Sequence, residues 1–270
     1  MSRVAIVSQK GGVGKTTVTL NLALAFAEQG RRTLIVDLDP QGGIGHSLAK
    51  ADAELRGLAD LLMGQASAAE AIVQTKLPTL ALLPRGRLDP IDTCAFEQAL
   101  LSPGVLEGAL SETERGFDVV LIDTPSGLGM PTRAALQVSD FALVPVKAEP
   151  LSIRSLSQML SVVEHVRTHE NHKLQLLGLL PTMVDKEASP AMDVMVQLWT
   201  GFGAVLETAI PRADVFASAS QEGLPVGYLG GPFRPEARRF GLLMEELERT
   251  MLAMNGKEEG DVQRPRRELL

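Results

Sequence analysis

Short apolar runs alternate along this chain with longer stretches in which apolar positions recur every three or four residues. Val4-Ala5-Ile6-Val7 is a brief run rich in β-branched residues, the pattern of a strand covered on both faces. From Thr16 onward Val18, Leu20, Leu22, Leu24, Ala25 and Phe26 stay apolar among good helix formers, and Gly30 closes the segment as a helix C-cap. Further strands read at Thr33 to Leu38, Leu80 to Leu83, Phe117 to Ile122, Phe141 to Val146 and Leu174 to Pro181. Helical patterns lie at 55–65, 70–73, 92–113, 152–169 and 234–254. Strands alternating with helices predict a single α/β domain over residues 1–254. Its sheet should be mostly parallel and twisted, of about seven or eight strands, with helices on both faces. Residues 255–270 keep only Val262, Leu269 and Leu270 as large apolar positions, with Pro265 among them, and read as a disordered tail.

Composition narrows the class. Of 270 residues 45% are hydrophobic, ample for a core, and no apolar run approaches the roughly 18 residues of a membrane span. The first strand begins by residue 4, which leaves no room for a signal peptide. The single cysteine, Cys94, permits neither an internal disulfide nor a cysteine-held metal centre, so a reducing cytoplasm is the simple expectation. A net charge of −7 argues against a dominant basic surface but leaves room for a local basic patch.

The chemistry gathers where strands end. Gln9-Lys10-Gly11-Gly12-Val13-Gly14-Lys15-Thr16-Thr17 joins the first strand to the first helix. Glycines at 11, 12 and 14 let successive backbone N–H groups turn toward one point, and the helix N-terminus adds partial positive charge. A polyphosphate is the natural guest, with Lys15 on the β- and γ-phosphates and the Thr16 hydroxyl on the bridging Mg²⁺. Asp37 and Asp39 close the second strand, and Asp123 closes the strand that starts at Phe117. In an open α/β sheet these carboxylates arrive beside the phosphate loop, with Asp123 in the Walker B position for magnesium. Thr124-Pro125-Ser126-Gly127 follows as a turn able to sense the γ-phosphate. His46, without an orienting partner in sequence, reads as a loop residue.

One departure from the common P-loop is informative: Gln9 stands where the first glycine usually sits, and Lys10 is added inside the loop. Lys-Gly-Gly-Val-Gly-Lys-Thr-Thr resembles the deviant Walker A motif of the ParA/MinD ATPases, closest to the ParA (Soj-like) partitioning branch. Asp37-Leu38-Asp39-Pro40-Gln41-Gly42 is similar to the family's second motif, Thr182-Met183-Val184-Asp185 to its Thr-Met-Tyr-Asp run, and Ile210-Pro211-Arg212 to its Ile-Pro-Arg run. The resemblance implies an ATPase using ATP and Mg²⁺ and a homodimer in the ATP state, with Lys10 reaching the partner's nucleotide. Asp39 would position the attacking water, Asp37 would bridge loop and magnesium shell, and Gln41 to Gly43 would form a switch. Met183, Asp185 and Pro211 would close over the purine.

The resemblance further implies nonspecific DNA binding by the dimer, stimulation by a ParB-like or other partner protein, and a nucleoid-associated cytoplasmic location. The candidate DNA contacts are Lys147, Arg154, Lys186, Arg212, Arg234, Arg238 and Arg239. Where the family commonly has Pro-Arg-Asn-Val-Arg the chain has Pro211, Arg212, Ala213, Asp214 and Val215, which removes one arginine and adds an acid. The alternative is a MinD-like regulator that acts through proteins without DNA. The tail lacks the amphipathic helix of the membrane branch, so no membrane insertion is expected.

Overall fold

The computed structural model describes residues 1–44, 55–185, 189–230 and 234–256. Seven strands form one sheet in the order β3-β4-β2-β5-β1-β6-β7. They are β1 (Ser2–Ile6), β2 (Thr33–Asp37), β3 (Val73–Gln74), β4 (Leu80–Leu83), β5 (Val119–Asp123), β6 (Phe141–Lys147) and β7 (Gln175–Thr182). All pairings are parallel except that of β3 with β4 at the edge.

The period of two along each strand divides two cores between the two faces. Val4, Ile6, Ile35, Leu121 and Leu143 face one side, covered by α1 (Lys15–Glu28) and by α10 (Pro235–Asn255). Ala5, Leu34, Val36, Ile122 and Val144 face the other. That side is covered by α4 (Thr93–Leu101), α5 (Val105–Thr113), α6 (Met130–Val138), α7 (Ser152–His169) and α8 (Ser189–Gly201). Three shorter α-helices are α2 (Leu58–Leu62), α3 (Ala68–Ala71) and α9 (Val215–Glu222). Both faces of the central strands are buried, which is why they read as continuous apolar runs.

Two segments depart from the sequence reading. The helical pattern at 92–113 is two helices, because Ser102-Pro103-Gly104 interrupts it and Gly104 takes φ 75°, a left-handed value that closes one helix and opens the next. The pattern at 70–73 splits between α3 and β3. Glu70 ends that helix's first turn by accepting from the Ser67 backbone N–H and hydroxyl, both at 2.9 Å. Helix α10 runs to Asn255, and the expected tail lies outside the described residues from 257 on.

Strand β5 is wedged between β1 and β2, so Ile6, Asp123 and Asp37 stand in one row across three strand ends. At the opposite end of β1, buried Arg3 makes a two-bond pair with Glu114 at 2.7 Å each and a further ion pair with Glu107 at 2.5 Å. In β7 the register with β6 slips by one residue near Gly178, and a Cβ placed there would lie 2.6 Å from Leu206 Cδ2. Among the described residues no helix is long and apolar enough to cross a membrane.

Candidate functional site

The loop between β1 and α1 has the backbone that an anion cradle requires. Gly12 and Gly14 take φ values of 67° and 89°, a region open to glycine and strained for other residues. Thr182 Oγ1 at the end of β7 donates to Val13 O at 2.9 Å, and Gly127 N donates to Ser8 O at 3.1 Å, so neighbouring strand ends hold the loop from two sides.

Lys15 opens α1 and is buried, with 7% of its surface exposed. Its Nζ bonds the Ser126 hydroxyl at 2.9 Å, and among the described residues it has no ion-pair partner within 4.0 Å. Burial pulls the ammonium below its ordinary pKa, against the opposing pull of Asp123 and Asp39. A buried cation bonded only to a neutral hydroxyl is a site that an anion completes.

Asp123 accepts from Thr16 Oγ1 at 2.7 Å and from Thr19 Oγ1 at 3.0 Å. Burial pushes its pKa up to about 6, although both hydroxyl bonds favour the charged form. Its row neighbour Asp37 is also buried, and burial first and the Asp123 charge second raise its pKa well above the ordinary carboxylate range. Asp37 spends both oxygens on backbone amides, those of Asp39 at 2.9 Å and Ile44 at 3.1 Å. Both of its oxygens are thus committed to the turn after β2. Asp39 is half-buried and accepts from Gln41 N at 2.9 Å, while Arg85 reaches from beyond β4 to donate to Pro40 O at 2.7 Å. A Cβ added to Gly43 would touch Thr16 Oγ1 at 3.4 Å, so the turn after β2 lies against the magnesium-side threonine.

No group of three or more His, Cys, Asp or Glu among the described residues could hold a metal alone. The hard oxygens of Thr16 and Asp123, beside two crowded acids, nevertheless suit a small divalent cation that takes most of its ligands from phosphate and water. The donor set fits Mg²⁺ in company with a nucleotide.

Beside the loop lies a cleft of about 290 Å³ whose wall includes Val13, Gly14, Met183, Pro211 and Phe216. Met183 takes φ 52°, a left-handed conformation in a non-glycine residue, which marks local strain at the mouth. Val184 and Pro211 form a parallel bridge that joins the two late loops. Met183 and Pro211, both expected over the purine, line this cleft. Asp185 is not among the lining residues, and Asp214 is.

Lys10 stands at the edge of the loop, 4.0 Å from Glu149 Oε2, and Lys147 pairs with the other oxygen of the same carboxylate at 2.5 Å. The hydrogen bond from Lys147 holds Glu149 below its ordinary pKa. The remaining basic candidates disperse. Lys147 and Arg212 line the nucleotide-sized cleft, and Arg154 is exposed in the first turn of α7. Arg234 and Arg238 line a separate cavity of about 620 Å³ between α1 and α10, whose wall includes none of Asp37, Asp39 and Asp123. Arg239 lines a third depression, and His46 and Lys186 lie outside the described residues.

Sequence reasoning placed Ser126 in the turn after β5 without its bond to Lys15, and it missed Thr19 and Glu149. Those two depend on contacts across more than a hundred residues.

Comparison with known proteins supplies the context. A family model described as an AAA domain matches residues 1–176. The chromosome-partitioning ATPase Soj of Thermus thermophilus is 37% identical over 246 residues, covering 91% of this chain and 94% of the relative. The cobyrinic acid a,c-diamide synthase of Mycobacterium smegmatis, solved with bound ADP and magnesium, superposes with a TM-score of 0.77 at 31% identity, covering 94% of this chain and 96% of that one. The septum site-determining protein MinD of Pyrococcus horikoshii, complexed with Mg-ADP, gives 0.74 at 28% identity, over 94% and 98%.

Proposed function

The chain belongs to the ParA/Soj family of P-loop ATPases, and on that basis we propose that it is an ATP-dependent dimerising switch that positions DNA or other cellular cargo. The observation that carries the reading is the buried, carboxylate-free Lys15 in a glycine cradle beside the Thr16–Asp123 hydrogen bond. ATP lies with its phosphates over Gly11 to Thr17 and its base in the cleft of Met183 and Pro211. Lys15 neutralises the β- and γ-phosphates, and exchanges its bond to Ser126 for them. Thr16 and Asp123 would hold Mg²⁺, which would supply electrostatic stabilisation to the phosphate oxygens. Asp39, carried on the turn that Asp37 anchors, orients the water that attacks the γ-phosphate and releases ADP and phosphate. Little covalent work falls to the protein, and catalysis is positioning and charge stabilisation.

Lys10 is the residue assigned to the dimer. It is partly exposed beside the loop, and its ion pair among the described residues is a long contact to Glu149, so it is available to a second copy's nucleotide. Light scattering of wild type with ATP and Mg²⁺ should show the mass of two chains, and Lys10→Ala should stay at one. An ATP-dependent dimer unchanged by Lys10→Ala overturns the assignment.

A second reading, a regulator that acts through proteins without DNA, is favoured by the placement of the basic residues. Lys147 is neutralised by Glu149, Asp214 is exposed next to Val215, Arg154 is exposed on α7, and Arg212, Arg234, Arg238 and Arg239 are spread over three different depressions. An electrophoretic shift of nonspecific duplex with ATP, at two salt concentrations, separates the two. A salt-sensitive shift supports a nucleoid-bound partitioning protein, and no shift at low salt supports the protein-partner regulator.

A further inference from the structure

Beneath the phosphate loop lies a gap of about 10 Å³, bounded by the loop, the end of β6 and the first turn of α7, with Val13, Val144, Leu156 and Met159 in its apolar wall. Two polar side chains, Gln9 and Ser152, line the same gap. Ser152 is 3% exposed, and neither its Oγ nor the buried Oε1 of Gln9 has a hydrogen-bond partner among the described residues. The backbone of Ser152 is already engaged: its N–H donates to Glu149 O at 2.9 Å, and its carbonyl accepts from Ser155 Oγ at 2.9 Å. Only the hydroxyl is spare. An amide oxygen and a hydroxyl left unpaired against apolar groups each carry a desolvation cost that a hydrogen bond removes. A gap of this size with two polar atoms on its wall suits one water molecule.

We propose that one ordered water occupies this gap, accepting from the Ser152 hydroxyl and donating to Gln9 Oε1, and that it makes Gln9 and Ser152 positioning residues for Lys10. Lys10 follows Gln9 in the loop, and its ammonium stands 4.0 Å from Glu149, whose carbonyl holds the Ser152 N–H. The water closes this path into a ring that runs from Gln9 through Ser152 and Glu149 to Lys10 and back to Gln9. Lys10 is thereby tied to the start of α7 twice, by its own side chain and through its neighbour's amide. A shift of α7 passes around the ring to Lys10, while Gly14, Lys15 and Thr16 at the phosphate-gripping end of the loop lie outside it. The water rests on the gap and its two polar atoms, and its effect on Lys10 rests on the proposed ATP-driven dimer.

A crystal structure of the nucleotide-free full chain, at a resolution that orders internal water, should show a density peak about 2.7–3.2 Å from both Gln9 Oε1 and Ser152 Oγ. An empty gap, or a direct bond between the two side chains, overturns the water. In urea unfolding Ser152→Ala and Gln9→Met should each lower the folding equilibrium constant by about tenfold. The double variant should lose about the same tenfold rather than about a hundredfold, because removing both polar groups orphans neither. Single variants as stable as wild type, or additive losses in the double variant, overturn the coupling. With ATP and Mg²⁺, Ser152→Ala should bind nucleotide within about twofold of wild type yet dimerise about tenfold more weakly in light scattering. A dimer as tight as wild type, or a loss of nucleotide affinity as large as the loss of dimer, overturns the positioning role. Wild type that forms no dimer with ATP overturns the role of Lys10 and the positioning with it, and the crystal and urea measurements still decide the water.

Discussion

At Asp123 burial and charge work against each other, and their balance sets a pH dependence that can be measured. The carboxyl has a native pKa of about 6 against an ordinary 3.8. Between those values the folded chain keeps a proton that the unfolded chain has lost, so stability falls as pH rises through this window and the loss is complete above about pH 6. Ionising the buried group costs about 3 kcal/mol at neutral pH. Asp123→Asn should therefore raise the unfolding free energy of the nucleotide-free protein by about 1–3 kcal/mol in urea at pH 7.5, and by about half as much at pH 5. The same variant should lose magnesium-dependent ATP turnover. No gain in stability at pH 7.5 would show that the Thr16 and Thr19 hydrogen bonds already offset the burial. Asp39 lies on the other side of the division between stability and chemistry. It is half-buried, and its carboxylate accepts from the Gln41 amide within its own turn. Asp39→Ala should keep ATP-induced dimerisation in light scattering and lose phosphate release, and wild-type turnover in that variant would remove its assigned role.

Among the elements, β7 shows how tightly the sheet edge is fitted. The slip in register beside Gly178 brings the strand against Leu206, which is itself buried. Gly178→Ala pushes a Cβ to within 2.6 Å of that side chain and should cost about 1–3 kcal/mol in a urea midpoint. ATP affinity should hold, since Gly178 lies short of the strand's carboxyl end. This bulge was invisible in the sequence, where Leu174 to Pro181 reads as one even strand. The phosphate loop and the carboxylate-tipped strands were legible because each is local: a run of apolar residues, then the chemistry, then a break. The helix pattern at 92–113 was misread for the opposite reason. Its apolar spacing continues through Ser102-Pro103-Gly104, and the break lies in the backbone preferences of Pro103 and Gly104. Strand β3 was lost because two residues carry no period at all. The partners of Lys15 and Lys10, namely Ser126 and Glu149, were out of reach because folding brings them together from 111 and 139 residues away.

For the molecule as a whole, the two ends of the sheet divide the work. The carboxyl ends hold two buried, poorly compensated acids and a buried lysine, while the amino end is secured by Arg3 between Glu114 and Glu107. Arg3→Met would leave Glu114 buried with no counter-charge and should cost about 3–5 kcal/mol. Arg3→Met combined with Glu114→Leu should recover most of that loss, because two apolar groups then replace both charges, and ATP turnover should be unaffected in the double variant. A double variant as unstable as the single one would mean that Glu107 and the Val138 carbonyl, the other partners of Arg3, carry the effect.

The wedging of β5 between β1 and β2 also imposes an order in time. As the chain leaves the ribosome, β1, α1 and β2 are made first, and their facing edges must wait unpaired for Val119–Asp123. A nascent chain ending before that strand has a phosphate loop but no Asp123, and it presents two open sheet edges to its neighbours. The magnesium carboxylate thus arrives on the strand that seals the sheet, so a chain able to hold magnesium nucleotide is also one whose central edges are closed.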